Sequence, residues 1–359
     1  MNIYDQIVQN QKQFSEGKIN YIPHPPEMGD FTKWFPGRMR GDYTAITGGT
    51  SSMKTTLAKF LVFRAVGWAI KENIDYKVAW FAFEESQQQF FYSLLSFLLY
   101  REKGLRYNIE NFEGLGKTVE EKDLPAIQEI MPLFEKYKSY FRVYDTIYNS
   151  FGIYKTVRDL DSKRGKFFLG GKEINYEEIH DKGWDKYVPD NPEEYIEIVL
   201  DHVGILTPQT GEKDLADAIT NLSKNMRQYV SKLLNYSVVW VQQQMMEMEN
   251  LDHIKENQIY PSIQGLGDNK RVGRDMLNII GICNPNRFGI RIANTDSGSF
   301  NIGELKDYQR VINILKRRYG VVNKKTCLYA DGCCGWFEPI PSAGSEGYKK
   351  LTEKIKNYG

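Results

Sequence analysis

The chain has 359 residues, 41% of them hydrophobic and 26% charged, and its 47 basic and 46 acidic side chains leave a net charge of +1. That length and apolar content can build one large core or two ordinary ones, and they exclude a collagen-like, disulfide-stapled or wholly disordered chain. A charge this close to neutral argues against a general polyanion coat, although local basic patches stay open to nucleic acid.

Four cysteines, of which only Cys333 and Cys334 lie close together, point to a reducing compartment. The histidines His24, His180, His202 and His253 are scattered and show no zinc-type spacing. No apolar run reaches membrane-spanning length, and the opening MNIYDQIVQNQKQF is too polar for a signal peptide. A cytoplasmic protein without a membrane partner is expected. Its richness in Tyr, Asn and Lys hints at a phage-like source, in which case the compartment is the host cytoplasm.

Residues 2–15 read as a short polar amphipathic helix with Ile3, Ile7 and Phe14 as its apolar points, and YIPHPPEMG follows as a Pro-rich linker, so that 1–29 form an N-terminal linker region. From Gly41 onward strands and helices alternate. YTAIT (43–47) is a short strand, and Lys54 to Ile70 is a helix with Leu57, Leu61, Ala65 and Trp68 on its apolar side. KVAWFAF (77–83) is the next strand, followed by a helix over about 86–100. Further strands are expected at 141–144, 195–200, 237–241, 278–282 and 311–315, and around 327–329. Apolar strands alternating with helices predict an α/β fold, a mostly parallel central sheet flanked by helices. The last strands lack intervening helices and are expected as antiparallel edge strands. Residues 150–192 read as an insertion with a small hairpin at FFLGGKEI, within a domain spanning 30–340; 341–359 read as a polar, Lys-rich tail.

The first sharp motif is GGTSSMKTT, Gly48 to Thr56, between a strand and a helix. A phosphate-binding loop has the form G-x-x-x-x-G-K-[ST], in which backbone N–H groups and a helix N-terminus cradle phosphate. Gly48, Lys54 and Thr55 match, with Gly49, Thr50, Ser51, Ser52 and Thr56 completing the loop, but Met53 stands at the second glycine. Lys54 would supply the charge for the β- and γ-phosphates and Thr55 the hydroxyl for Mg²⁺. If position 53 needs a positive φ, a methionine there is strained. A helix start capped by Ser and Thr that binds nothing would also carry this string. A second GKT at 116–118 has Asn111 in place of the first glycine and no preceding strand, and is set aside.

Four further segments follow in order. FAFEESQQQF carries Glu84 at the carboxyl end of a buried strand expected beside the phosphate-loop strand, where it could act as general base; alternatively Glu84 and Glu85 are simply acids at a helix N-terminus. EIVLDHVGIL ends a strand in Asp201, suited to hold Mg²⁺. SVVWVQQQ ends a strand in Gln242–Gln244, where a glutamine can sense the γ-phosphate or merely face solvent. VINILKRRYG ends in Lys316, Arg317 and Arg318, a basic group that fits either an arginine finger acting on a neighbouring subunit or an edge blocked by charge.

In motif order across roughly 30–340, the chain resembles the C-terminal RecA-like ATPase domain of DnaB-type replicative DNA helicases. WFPGRMRGDYTAITG resembles that family's opening segment, and GLGDNKRVGRDMLNIIGI its pore-loop region. The resemblance implies ATP and Mg²⁺ as cofactors, with Lys54 and Thr55 on phosphate and metal, Asp201 on the metal, Glu84 as base and Gln243 as sensor. It further implies Lys316 and Arg318, from the Lys-x-Arg-x-Gly pattern, acting in trans. Lys270, Arg271 and Arg274 would track single-stranded DNA in the pore of a homo-oligomeric, hexameric ring, with primase or a helicase loader as further partners. Three departures are expected: Met53, the insertion at 150–192, and a missing helical N-terminal domain, with the 2–15 helix standing where the family's linker helix does. A RecA-like recombination ATPase that coats DNA without unwinding it, or an assembly protein that binds nucleotide without hydrolysing it, remain the competing expectations.

Overall fold

The computed structural model describes residues 2–16, 19–162, 164–245, 259–266 and 270–358, but not the side chains of Gln6, Gln13, Phe14, Asp161, His180, Lys270 and Arg271. Helix α1 (Ile3–Ser15) opens the chain, with Ile3, Tyr4, Ile7 and Val8 exposed. Strands β1 (Tyr21–Pro23) and β2 (Gly37–Met39) pair antiparallel around helix α2 (Asp30–Trp34). The stretch expected as a Pro-rich linker therefore contains a strand. It also buries His24, whose Nδ1 lies 2.8 Å from the Phe35 carbonyl oxygen, so the prolines stiffen a packed corner.

The phosphate-loop segment runs from β3 (Tyr43–Gly48) into α3 (Lys54–Glu72), then β4 (Tyr76–Ala82) and α4 (Gln87–Lys103). Ser86 caps α4 in a reciprocal box with Gln89, which ends the strand exit and starts the helix at that residue. Helices α5 (Ile109–Glu113) and α6 (Leu124–Lys138) lead to β5 (Phe141–Tyr144) and α7 (Ser150–Asp161). A three-stranded antiparallel sheet follows, made of β6 (Gly165–Leu169), β7 (Lys172–Ile174) and β8 (Lys186–Pro189), with α8 (Ile179–Lys182) inside it. Its hairpin turns at Gly170 and Gly171, both at positive φ, and its Phe167, Trp184 and Tyr187 are buried against the main body. Next come β9 (Tyr195–Asp201), α9 (Leu215–Asn225), β10 (Ser237–Gln243), α10 (Lys270–Asp275) and β11 (Asn278–Cys283). A small hairpin, β12 (Ile292–Thr295) and β13 (Gly298–Asn301), and helix α11 (Ile302–Leu305) precede β14 (Gln309–Arg317), β15 (Lys324–Asp331) and β16 (Trp336–Pro339). Helix α12 (Glu346–Tyr358) buries Tyr348, Leu351 and Ile355, so the Lys-rich tail is an amphipathic helix with one face on the core.

Nine strands form the central sheet in the order β16-β15-β14-β11-β3-β10-β9-β4-β5. The six from β11 to β5 are parallel, and β14, β15 and β16 add to them antiparallel. This is the expected α/β architecture with its antiparallel edge. One expectation is corrected: β4, which leads to Glu84, does not neighbour the phosphate-loop strand, because β10 and β9 lie between them. Adjacency in sequence suggested adjacency in the sheet, whereas the crossovers return the chain to insert two later strands. Both faces are covered, which is why these strands read as unbroken apolar runs. Alternate residues divide between two cores: Ile46, Val239, Val241 and Ile280 lie with α3, α4 and α6, while Tyr43, Ala45, Val238, Trp240 and Ile279 lie with α7 and α9.

A buried polar cluster pins the amino-terminal edge of the sheet. Arg38 Nε and Nη2 donate to Glu197 Oε1 and Oε2 at 2.6 and 3.0 Å, and the Tyr76 and Ser237 hydroxyls donate to the same carboxylate at 2.5 and 3.0 Å. Burial alone would push the Glu197 carboxyl up; the Arg38 guanidinium and the two hydroxyls hold it below its ordinary value. A carboxyl with a depressed folded pKa contributes stability above its unfolded pKa of about 4.3, and loses it as pH falls through the folded value. Arg38→Met is expected to cost roughly 3–5 kcal/mol at neutral pH by leaving a buried charge unpaired, and Arg38→Met/Glu197→Leu to recover most of that. Urea midpoints of the single and double variants check this, and equal losses in both would remove the pair from the account.

Candidate nucleotide site

The site lies at the carboxyl ends of the parallel strands, where ligands of open α/β sheets bind. Gly48 ends β3 in close contact with its neighbours: a Cβ there would come within 2.2 Å of the Ile282 carbonyl oxygen and 2.6 Å of Ser52 Oγ. Beyond it Ser51 and Met53 both take positive φ, 58° and 72°. Met53 is the N-cap of α3 in the left-handed region, which costs a non-glycine residue roughly 1 kcal/mol or more. Its side chain packs on the core, with Sδ and Cε near Gly332 in the turn between β15 and β16. Lys54, nearly buried, donates to the Gly49 carbonyl at 2.8 Å across the loop. Ser52 Oγ is buried and has no hydrogen-bond partner among the described residues.

Thr55 Oγ1 donates to Asp201 Oδ1 at 2.8 Å, which joins the first turn of α3 to the end of β9 across 146 residues of sequence. Burial pushes the Asp201 carboxyl up to about 7, Glu85 and Glu84 add to that, and the Thr55 hydroxyl and Lys59 oppose it. Asp201 is thus an acid whose charge this chain under-compensates. Together with Thr55 it presents hard oxygen donors of the kind that suit Mg²⁺.

Glu84 and Glu85 separate cleanly. Glu85 turns inward to Lys59 at 2.6 Å, and Lys59 also donates to Ser93 at 2.9 Å. Glu84 keeps about half of its side chain exposed (51%) at the crevice, with Oε1 3.0 Å from His202 Nδ1. His202 itself has φ 63° immediately after Asp201. Burial pushes its imidazole below the ordinary value, against the pull of Glu84.

The three glutamines divide by the two-residue period of β10. Gln243 pairs in register with Gly48 and donates to Thr50 Oγ1 at 2.6 Å. Gln242 and Gln244 are buried on the other side, donating to the Leu266 carbonyl at 3.1 Å and to the Ser262 carbonyl at 3.1 Å. The end of β10 therefore touches the phosphate loop on one face and segment 262–266 on the other.

Lys316 and Arg318 are not brought to this chain's own phosphate loop. Arg317 stands opposite Asn278, which stands opposite Thr44, so the end of β14 lies at the start of β3, on the order of 10 Å or more back along the strands from Gly48. Lys316 Nζ donates to the carbonyls of Gly273 and Arg274 at 2.9 and 3.3 Å, at the end of α10. Arg317 points the other way, donating to the Trp34 carbonyl and lying 4.9 Å from the Phe35 ring centroid. Of the DNA candidates, Arg274 is exposed at the end of α10, while the side chains of Lys270 and Arg271, and residues 246–258 and 267–269 of the expected pore region, lie outside the described residues.

Three residues near the loop are given no role by the sequence motifs. His202 follows Asp201 directly, and that adjacency was the available signal. Arg287 and Arg310 reach the loop from 237 and 258 residues away and carry no local signal at all.

No protein-family model matches the sequence, and no curated protein matches it either. Among solved structures, the ATPase domain of the helicase G40-P is similar, with TM-score 0.65 and 14% identity over 94% of this chain and 99% of that one. A DnaB-like replicative helicase, solved in a study of its interactions with primase, is similar at TM-score 0.64 and 13% identity, over 95% of this chain and 67% of that one. The chain has the RecA-like fold of DnaB-type helicase ATPase domains. This RecA-like domain shares that fold at 13–14% sequence identity. Among the described residues, no helix is long and apolar enough to cross a membrane.

Proposed function

We propose that this RecA-like domain is an ATP-hydrolysing, helicase-like motor that assembles as a ring, hexameric in the DnaB manner, and translocates on single-stranded DNA. The observation that carries the reading is the Thr55–Asp201 hydrogen bond, with Glu84 and Gln243 converging on the same crevice. Lys54 leaves the Gly49 carbonyl for the β- and γ-phosphate oxygens, and the loop N–H groups receive the rest of the charge. Thr55 and Asp201 would hold Mg²⁺, which would supply positive charge against the phosphates. A cavity of about 270 Å³ running along α3 from Thr56, walled by Phe97, Asn108 and Cys333, has room for part of the nucleoside.

Glu84 accepts the proton of the attacking water, with His202 orienting its carboxylate. Gln243 answers the γ-phosphate through Thr50, and its neighbours Gln242 and Gln244 pass the change to 262–266 and so to the DNA-facing loops. Lys270, Arg271 and Arg274 follow phosphates without reading sequence. Lys316 and Arg318 complete the site of the next subunit. Primase or a helicase loader is the further partner this assignment expects, in the cytoplasm.

Steady-state ATP hydrolysis with and without single-stranded DNA tests the reading. DNA-stimulated turnover that falls by about 10³-fold or more in Lys54→Ala is expected from loss of the phosphate-binding charge. Turnover that DNA does not stimulate would sink the translocase, and no turnover under any condition would leave a nucleotide-holding assembly protein. Separation of a forked duplex then distinguishes a helicase from a recombination ATPase that only coats DNA.

A further inference from the structure

The phosphate loop of this chain lacks its second glycine, and two of its residues, Ser51 and Met53, take positive φ, a conformation that favours glycine. Both are handled in the same way. Arg310, on β14 and nearly buried, donates from Nε to the Ser52 carbonyl at 3.2 Å, and its Nη1 is tied to the carbonyls of Asp307 and Gln309 at 2.7 and 2.6 Å. Arg287, in the turn after β11, donates from Nη1 to the Thr50 carbonyl. A trans peptide is planar, so a carbonyl held in one direction aims the next residue's N–H in the opposite one. The peptide that Arg310 holds carries the N–H of Met53, and the one that Arg287 holds carries the N–H of Ser51. Met53 and Ser51 are the two loop residues at positive φ, 72° and 58°.

We infer that Arg310 and Arg287 are positioning residues of the nucleotide site, clamping the outer carbonyls of the phosphate loop so that the Met53 and Ser51 amides face the phosphates. The arginines supply the conformational bias that glycine would otherwise permit without strain. β14 reaches the loop because its first residues lie level with Cys283, at the carboxyl end of β11 and one strand from β3. The ligand recognised through these amides is the diphosphate of a nucleotide. This inference rests on the nucleotide-binding reading above.

Two double-variant cycles on the full chain test it, with MgADP affinity measured by calorimetry. Arg310→Met is expected to weaken MgADP by about tenfold or more, as for loss of a charge-assisted hydrogen bond at a buried site. In the Met53→Gly background the same substitution should cost less than about threefold, because glycine holds positive φ without strain. Arg287→Met should behave likewise against Ser51→Gly. Its guanidinium lies at the surface, so this second cycle decides the matter if Arg310→Met fails to fold. A merely structural arginine would weaken binding equally in both backgrounds, and equal losses, or none, overturn the clamp. A wild-type chain that binds no MgADP overturns the nucleotide reading and the clamp together, whereas wild-type binding with unaffected variants overturns the clamp alone.

Discussion

Glu84→Gln is expected to lower kcat for ATP hydrolysis by about 10²–10⁴-fold, the usual contribution of a general base. Nucleotide affinity should stay within about threefold, since the substituted group removes a proton acceptor and not a phosphate contact. Glu84 leaves the carboxyl end of β4 with half its side chain in the crevice and one oxygen 3.0 Å from His202, and glutamine keeps both its size and an oxygen for that contact. Glu85, one residue on, is committed to Lys59 at 2.6 Å. Its replacement by glutamine should therefore show in thermal stability and leave kcat nearly intact. Single-turnover hydrolysis and MgADP titration of the two variants separate these roles. A Glu84→Gln protein with turnover within about threefold of wild type would remove Glu84 from the reaction.

Arg318→Ala is expected to reduce hydrolysis by about 10³-fold or more, and mixing it with the equally inactive Lys54→Ala chain is expected to restore activity. The register forces this outcome if the chain assembles as proposed. The end of β14 stands level with Thr44, at the amino-terminal end of β3 and away from Gly48, and Lys316 is turned to the Gly273 and Arg274 carbonyls. A finger so placed would have to act on another copy. In a mixed ring some interfaces would join a Lys54→Ala chain's intact Arg318 to an Arg318→Ala chain's intact phosphate loop. Activity measured across mixing ratios should pass through a maximum while each variant alone stays low. A flat, inactive titration would sink the trans assignment.

Much of the fold could be read from the chain because the relevant forces are local. Fully buried parallel strands appear as apolar runs, and 43–48, 195–201 and 278–283 are buried at every position. The start of α4 was visible in Ser86, and the strand–loop–helix setting of Lys54 and Thr55 in the alternation around them. Weaker local signals failed where long-range packing decides. The strand at 21–23 lies among prolines and exists only because β2 pairs with it. Helix α12 reads as polar until its third-and-fourth-residue stripe of Tyr348, Leu351 and Ile355 finds the core. β4 was expected beside β3, yet no short stretch of sequence reveals that β10 and β9 will be inserted between them.

Most element types, the parallel core and the residue kinds of a phosphate loop are written locally in the chain, since periodicity and the chemistry of Lys, Thr, Asp and Glu act within a few residues. Which of those residues meet was decided by tertiary structure alone. Thr55 reaches Asp201 across 146 residues, Gln243 rather than Gln242 or Gln244 faces the loop, and Glu84 rather than Glu85 faces the crevice. Arg287, just after β11, and Arg310, on β14, come to the loop carbonyls from 237 and 258 residues away in sequence. The physical reason is that hydrogen bonds and ion pairs depend on distance in space. Strand order and side-chain alternation, set by the packing of two whole cores, fix those distances.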